Sequence, residues 1–369
     1  MGKRMRLVST KKLPASSILA RPIVNDDGIV LLQEGVTLTE RIVKKIQEKG
    51  ITYVYIEDGR TDDIEVSSPI HDKTRGQALA TIKNEFRTIM QPGRLQSALT
   101  QGQVSKSFST VVDKILEDIE TNDDAIGILS DIYMYDSYIF THSLNVTIYT
   151  LRLAMKMGYN KQELQAIGLG AILHDVGKLN IPSEILQKPT GLTEAEFTTI
   201  KKHPEDGFLL LKDMPNLSLL TAHCAYQHHE RLNGSGYPRG IKEEAIHPYA
   251  KLLAIADVFD ATTSNRVYRN AMLPHEAMEI LFSGAGTLYD FQAVEVFSRV
   301  IAMYPNGMTL TLNDGRQGVV VRQNGEMTTR PVIRILTDHN YNKVDKPYEV
   351  DLLKDTNVTI ISCEELEAM

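Results

Sequence analysis

AIGLGAILHDVGKLNIP, residues 166–182, decides how the chain is read. The first eight residues are apolar or glycine, as a buried helix requires. The run then ends on His174 and Asp175, with Gly177 and Lys178 just beyond. Packing alone does not explain a polar pair there, because buried polar and charged groups need partners. An aspartate beside a histidine at a helix end can bridge two metal ions while the imidazole binds one. Upstream, Asn160 and Glu163 have the spacing of a capping box, which starts the helix that carries the pair.

Working outward, helix follows helix from 121 to 303. Asp136–Met157 is periodic and stops at Gly158, and Thr193 with Glu196 repeats the capping spacing. Asn216–His229, Pro248–Thr262, Pro274–Phe282 and Phe291–Met303 follow. An all-α bundle is expected, with functional residues at helix ends and inside the bundle.

Histidines concentrate in the same region. Of ten in the chain, eight fall between His142 and His275, in company with aspartates. His174-Asp175, His203, His228-His229 and Asp257 lie at or near different helices, and His142 lies within another. Several helices each donating one or two ligands inward is how a bundle builds a metal centre. Imidazole with carboxylate suits Fe, Mn, Zn, Co or Ni better than a metal that prefers thiolates. His71, His223, His247, His275 and His339 are read instead as satisfied polar residues. Asp257 has apolar neighbours, so its buried carboxylate needs a partner or a metal. Asp260, three residues on, shares much of its face and rivals it as a ligand.

The flanks differ in character. In 1–60, Ile18–Val24 and Ile29–Gln33 read as strands around the turn Asp26-Asp27-Gly28. Thr39 caps a helix to Lys49, Gly50 stops it, and Ile51–Ile56 alternates as a strand. This is a small ββαβ-like α/β unit of regulatory or interaction type. Residues 61–120 read as a polar linker and a helical hairpin broken at Gln91-Pro92-Gly93. The bundle is assigned to 121–305. Residues 306–369 form a small β appendage of about four or five strands, with turns at Asn313-Asp314-Gly315 and Asn324-Gly325 and strands at Pro331–Leu336 and Val358–Ile361. The fold class is therefore mainly α with two small β-containing flanks.

Composition narrows the function. The net charge of −7 gives no electrostatic case for nucleic-acid binding. No apolar stretch reaches the roughly 18 residues of a membrane span. The early MGKRMR has no apolar segment after it, so no signal peptide is read and a cytoplasmic location is expected. Cys224 and Cys363 form neither a disulfide framework nor a CxxC site.

Four blocks, HDVGKLNIP (174–182), KKHPEDG (201–207), HHERLNGSGYP (228–238) and ADVFDATTSNRVYR (256–269), together resemble the HD-GYP subfamily of HD phosphohydrolases. The resemblance covers about 121–303 and keeps that family's order. It implies an all-α domain that hydrolyses cyclic di-GMP to the linear dinucleotide or GMP at a centre of two or three metals. Such a centre lowers the pKa of its bound water and neutralises charge growing on the phosphoryl oxygens.

Carried onto this chain, the resemblance puts His142, His174, Asp175 and Asp257 on one metal. Asp175 then bridges to a second, completed by His203, His228 and His229. Lys178 would contact the scissile phosphate or protonate the leaving oxygen, and Asp175 and Lys178 are the catalytic pair. Arg266, Arg269, Tyr237 and Gly236 would face the substrate, and Gly234 would let backbone approach closely. Two divalent ions are expected, iron first, with Mn, Ni, Co, Mg or Zn as the other choices. Where the family has Asp, this chain has Asn233, which is expected to be tolerated. Three-metal members have Glu where this chain has Tyr138, one turn before His142, so two ions are expected. Homodimerisation through 70–120 and signalling partners at the N-terminal unit are expected by analogy. The competing readings are a cyclic di-GMP receptor without turnover, or a hydrolase of another nucleotide such as cyclic GMP-AMP.

Overall fold

A computed structural model of the chain describes residues 6–13, 16–24, 30–49, 51, 53–61, 63–64, 69–90, 102–121, 138–186, 188, 190–264, 271–325 and 327–363. The helices at its centre pack around one apolar core. α4 (Tyr138–Lys156) and α5 (Lys161–Leu173) lie side by side within it. Gly158 adopts φ +83°, a left-handed conformation that ends α4, and Asn160 with Glu163 forms the full capping box of α5. After α5 the chain passes through His174 and Asp175 into a 3-10 turn, Val176–Asn180. Then come α6 (Ser183–Leu186), α7 (Glu194–Ile200), α8 (His203–Leu211), α9 (Leu219–Gln227), α10 (Pro248–Thr263), α11 (Pro274–Gly284) and α12 (Phe291–Val300).

Some boundaries differ from the sequence reading. α9 begins at Leu219 and not Asn216, because Asn216 has φ +60° and the Ser218 side chain caps the helix. α12 ends at Val300, short of Met303. Asp136 lies outside the described residues.

α2 (Asp72–Met90) and α3 (Gln103–Thr121) form the expected helices, and the break at Gln91-Pro92-Gly93 lies outside the described residues. They share the bundle's core. Ile82, Phe86, Phe108, Val112 and Ile115 are buried together with Leu144, Ile148 and Tyr149. Phe86 meets Phe108 and Phe140 edge-on, with centroids 6.0 and 5.8 Å apart. Each such fully buried side chain contributes about 1.5–3 kcal/mol.

The N-terminal unit contains α1 (Glu40–Glu48), capped by Thr39, and two separate two-stranded ladders. β2 (Ile23–Val24) pairs with β3 (Val30–Leu32), and the turn Asp26-Asp27-Gly28 lies outside the described residues. With β4 (Tyr53–Ile56), the order β2-β3-α1-β4 follows the ββαβ reading, and the other ladder adds a strand to it. β4 pairs antiparallel with an unforeseen β1 (Arg6–Ser9). β1 lacks alternation because its first three residues are all buried, Arg6 by an ion pair with Asp58 at 3.0 Å.

The C-terminal sheet has five antiparallel strands in the order β8-β7-β6-β5-β9: β5 (Thr309–Leu312), β6 (Gln317–Arg322), β7 (Val332–Thr337), β8 (Lys343–Asp351) and β9 (Ile360–Cys363). The sequence reading missed β8. Its charged residues and Pro347 suit an edge strand with one solvated side. β1 joins this sheet to the N-terminal unit: Leu7 N donates to Gly307 O at 2.9 Å, and Leu7 is buried with Met308, Leu310 and Ile333. The expected linker at the start of 61–120 is clamped as well. Ile64 is buried against Val319 and Leu336, and Arg334 binds Asp63 and the Arg60 carbonyl. Among the described residues, no helix is long and apolar enough to cross a membrane.

Candidate metal centre

Asp175 is the hub. It sits at the junction of α5 and the 3-10 turn, 1% exposed. Its Oδ1 lies 3.2 Å from His203 Nε2 and 3.7 Å from His228 Nε2. Its Oδ2 lies 3.4 Å from His174 Nε2 and 3.6 Å from His142 Nε2. The cluster divides into two overlapping donor sets. One is Asp175, His203, His228 and His229, and the other is His142, His174 and Asp175. Asp257 on α10 adds a carboxylate, with Oδ1 3.1 Å from His142 Nε2 and Oδ2 3.6 Å from His229 Nδ1.

Two glycines make this convergence possible. A Cβ on Gly177 would lie 2.0 Å from the His203 carbonyl oxygen and 2.6 Å from Gly207 N, so only glycine lets the 3-10 turn press against α8. A Cβ on Gly170 would lie 2.6 Å from Cys224 Sγ, so α5 and α9 approach closely enough to bring His174 beside His228.

The imidazoles are oriented from behind. His174 Nδ1 donates to Ala171 O at 2.7 Å, His203 Nδ1 to Ile200 O at 2.7 Å, and His228 Nδ1 to Ala225 O at 2.8 Å. A carbonyl only accepts, so each Nδ1 carries the proton and each Nε2 presents a lone pair. His203 Nε2 and His228 Nε2 then face each other at 3.2 Å, lone pair toward lone pair. That arrangement asks for a positive charge between them. His174 Nε2 and Asp175 Oδ1, both buried, make no hydrogen bond among the described residues. The donors are borderline nitrogens and hard oxygens, as a divalent first-row ion prefers. The residues fit a divalent metal site.

The electrostatics agree. Burial pushes His228 down to about 4 and holds His203 and His229 low as well, which keeps their lone pairs available. Burial also opposes charge on Asp175 and Asp257. Lys178 and His174 outweigh it at Asp175, and His142 and His229 outweigh it at Asp257, so both stay ionised well below the usual carboxylate range. At His142, burial is outweighed by Asp257 and Asp260, which raise it to about 9.

The two α10 aspartates lie on different sides of His142. Asp260 faces the far side of the ring, with Oδ2 2.7 Å from His142 Nδ1, and Asn145 Nδ2 donates to its Oδ1 at 3.0 Å. Carboxylates placed behind a ligating histidine fix its tautomer and orientation. The sequence reading considered Asp260 only as a rival ligand and had no signal for Asn145.

Glu230 was also missed, although it stands in the HHE triplet. It is 2% exposed and belongs to neither donor set. Its oxygens accept from Arg239 N at 2.9 Å and Ile241 N at 3.2 Å, which ties the glycine-rich turn back to the end of α9. Gly236 belongs to the same tie. A Cβ there would lie 2.4 Å from the His229 carbonyl oxygen. Gly234 adopts φ +81°, and Asn233 Oδ1 accepts from Ser235 N at 2.9 Å, an Asx turn that aspartate would make equally. Tyr237 lies over His229, with ring centroids 4.6 Å apart.

Lys178 behaves differently from a residue one α-helical turn past His174. The helix has given way to the 3-10 turn, and Lys178 Nζ donates to Asp175 Oδ2 at 2.5 Å. Tyr138 opens α4 one turn before His142, and its side chain lies outside the described residues, as do Arg266 and Arg269. The five histidines read as ordinary polar residues lie away from the cluster. His247, for example, accepts from Tyr249 N and caps α10.

A helical bundle with an inward His/Asp cluster on HDVGK and HHE blocks is the arrangement expected of an HD domain. The family model described as "HD domain" matches residues 129–293, and one described as "KOW domain associated with HD domain" matches 309–369. Residues 129–293 are thus similar to HD domains, and the GYP block within them is similar to that of HD-GYP members. A cyclic di-GMP phosphodiesterase of Pseudomonas aeruginosa is 33% identical over 242 residues, 66% of this chain and 58% of that protein. A cyclic di-GMP phosphodiesterase response regulator of Xanthomonas campestris is 41% identical over 40% of this chain and 39% of its own length. A 3'3'-cGAMP-specific phosphodiesterase of Vibrio cholerae is 41% identical over 39% of this chain and 33% of its own. The chain thus spans less than two thirds of the length of each of these relatives.

Proposed function

We propose that the chain hydrolyses cyclic di-GMP, giving the linear dinucleotide or GMP, with two divalent ions held in the two donor sets that share Asp175. The observation that carries the reading is the pair of lone pairs, His203 Nε2 and His228 Nε2, facing each other at 3.2 Å beside Asp175 Oδ1. His142, His174, Asp175 and Asp257 would hold one ion, and Asp175, His203, His228 and His229 the other. When bound, such ions act as Lewis acids that lower the pKa of water toward neutrality and neutralise charge on the phosphoryl oxygens. Iron is the first candidate, with manganese next.

The chain's own residues do the rest. Asp260 and three backbone carbonyls hold the imidazoles in the ligating tautomer. Glu230 fixes the turn that carries Tyr237 beside His229. Lys178 leaves Asp175 when the substrate phosphate arrives, contacts that phosphate and delivers a proton to the leaving ribose oxygen. Tyr237 and Gly236 border the substrate, and Arg266 and Arg269 bind its phosphates through their planar guanidinium forks.

The test is chromatography of products after metal-replete protein, loaded with Fe(II) anaerobically or with Mn(II), meets cyclic di-GMP. Linear products are expected, and His174→Ala or Asp175→Ala removes them. Tight binding with no turnover would replace the enzyme by a receptor. Cyclic GMP-AMP is the second substrate reading, favoured by the Vibrio relative at the same 41% identity as the Xanthomonas one. Competition between the two cyclic dinucleotides in one reaction decides between them.

A further inference from the structure

Six residues before His203, Phe197 stands 44% exposed on α7. Its ring does not serve the core. α7 is nevertheless held firmly, by the Thr193–Glu196 capping box and by Lys188, whose Nζ reaches both Glu196 oxygens at 2.7 and 2.9 Å. Across from Phe197 stands Tyr237, with centroids 6.5 Å apart and ring planes at 76°. Tyr237 in turn lies over His229 and stands edge-on to His203 at 6.4 Å. The two rings form an aromatic corner that opens beside two of the clustered imidazoles. Lys201, four residues after Phe197 and on the same helical face, places Nζ 4.6 Å from the Phe197 centroid and 5.5 Å from that of Tyr237.

We infer that Phe197 and Lys201 complete, with Tyr237, a purine-binding subsite: one base of the cyclic dinucleotide stacks in the aromatic corner, and Lys201 meets its phosphate. The inference rests on the reading of a cyclic-dinucleotide site above. A purine is flat and carries a polar edge, so it can lie on one ring of a corner and present its edge to the other. Stacking tolerates either purine, so this subsite holds the base without choosing guanine over adenine. Lys201 already occupies the corner as a cation over both rings. Its flexible stem lets the ammonium swing toward the phosphate when a base replaces it. α7 carries no clustered imidazole or carboxylate, and the Ile200 carbonyl that holds His203 stays on a helix fixed by its capping box and Lys188, so removing the Phe197 ring should leave the donor sets in place.

The experiment is calorimetric binding of cyclic di-GMP to the metal-loaded full chain, with metal content measured on every variant. Phe197→Ala is expected to weaken binding about 10-fold, the scale of one lost base–aromatic stack, with metal content unchanged. Phe197→Trp is expected to restore it. Lys201→Ala is expected to weaken binding and to flatten its dependence on salt. Unchanged binding in Phe197→Ala overturns the subsite, as does a parallel loss of metal or a failure of Phe197→Trp to rescue. Wild-type protein that binds but does not cleave contradicts the hydrolase and leaves the subsite to be judged by the same series. Wild-type protein that binds no cyclic dinucleotide overturns both.

Discussion

Asp260 Oδ2 lies 2.7 Å from His142 Nδ1, on the side of the ring opposite Asp257. The two aspartates of α10 therefore flank one imidazole from opposite sides, although they are three residues apart. Removing an oriented partner behind a metal-binding histidine typically weakens metal affinity by about 10–100-fold. Asp260→Asn should do so without emptying the site at saturating metal, and titration against a competing chelator measures it. Asp257→Ala should instead lower the amount of metal bound at saturation. Equal effects of the two substitutions would contradict the division of roles.

Gly177 admits no side chain, since a Cβ there meets the His203 carbonyl oxygen at 2.0 Å. Gly177→Ala must push the 3-10 turn away from α8. A loss of about 1–3 kcal/mol is expected, as for other overpacked sites. Separating Asp175 from His203 should also cut metal binding and turnover. Chemical denaturation together with metal analysis checks this. A variant with wild-type stability and metal content would refute the close-approach argument.

Asn233 stands where the resemblance expects aspartate, and its Oδ1 accepts from Ser235 N in an Asx turn. Asn233→Asp should leave turnover within about threefold of the parent, because both side chains form this Asx turn. Asn233→Ala loses the acceptor and should loosen the turn that carries Tyr237, raising KM more than it lowers kcat. A large gain of activity in Asn233→Asp would show that the departure had impaired the site.

The metal-free protein should lose stability on both sides of pH 6.5. Burial lowers His228 to about 4, so the unfolded chain takes up a proton there first. That contribution is present above about pH 6.5 and lost as pH falls toward 4. His142 has the opposite sign. Against burial, Asp257 and Asp260 raise it to about 9, so its contribution is full below about 6.5 and lost as pH rises through 9. Denaturation midpoints at pH 5, 6.5 and 9 read the curve. Bound metal should flatten it by replacing the proton. A profile that does not change with pH would contradict these shifts.

How much the sequence disclosed depends on the range of each interaction. His174-Asp175 was legible because a polar pair ended an apolar run. The capping boxes at Asn160 and Thr193 were legible because both partners lie within one turn. Asp260 was not, because its partner His142 is 118 residues away and nothing local separates it from Asp257. The work of Glu230 is done on backbone amides 9 and 11 residues ahead, in a turn that only the folded chain forms. Gly170 and Gly177 carry no local sign of the elements that they press against, α9 and α8. β1 and β8 escaped notice for opposite reasons. One is buried through three successive residues, and the other is an edge strand whose charged residues face water.

Two donor sets that share Asp175 would together hold two ions. Metal counted per chain on protein reconstituted anaerobically with Fe(II), by elemental analysis and native mass spectrometry, tests it most directly. Close to two ions per chain are expected, falling sharply in Asp175→Ala. A count near zero would contradict the centre itself, and a count near three would contradict the assignment of two ions that rests on Tyr138.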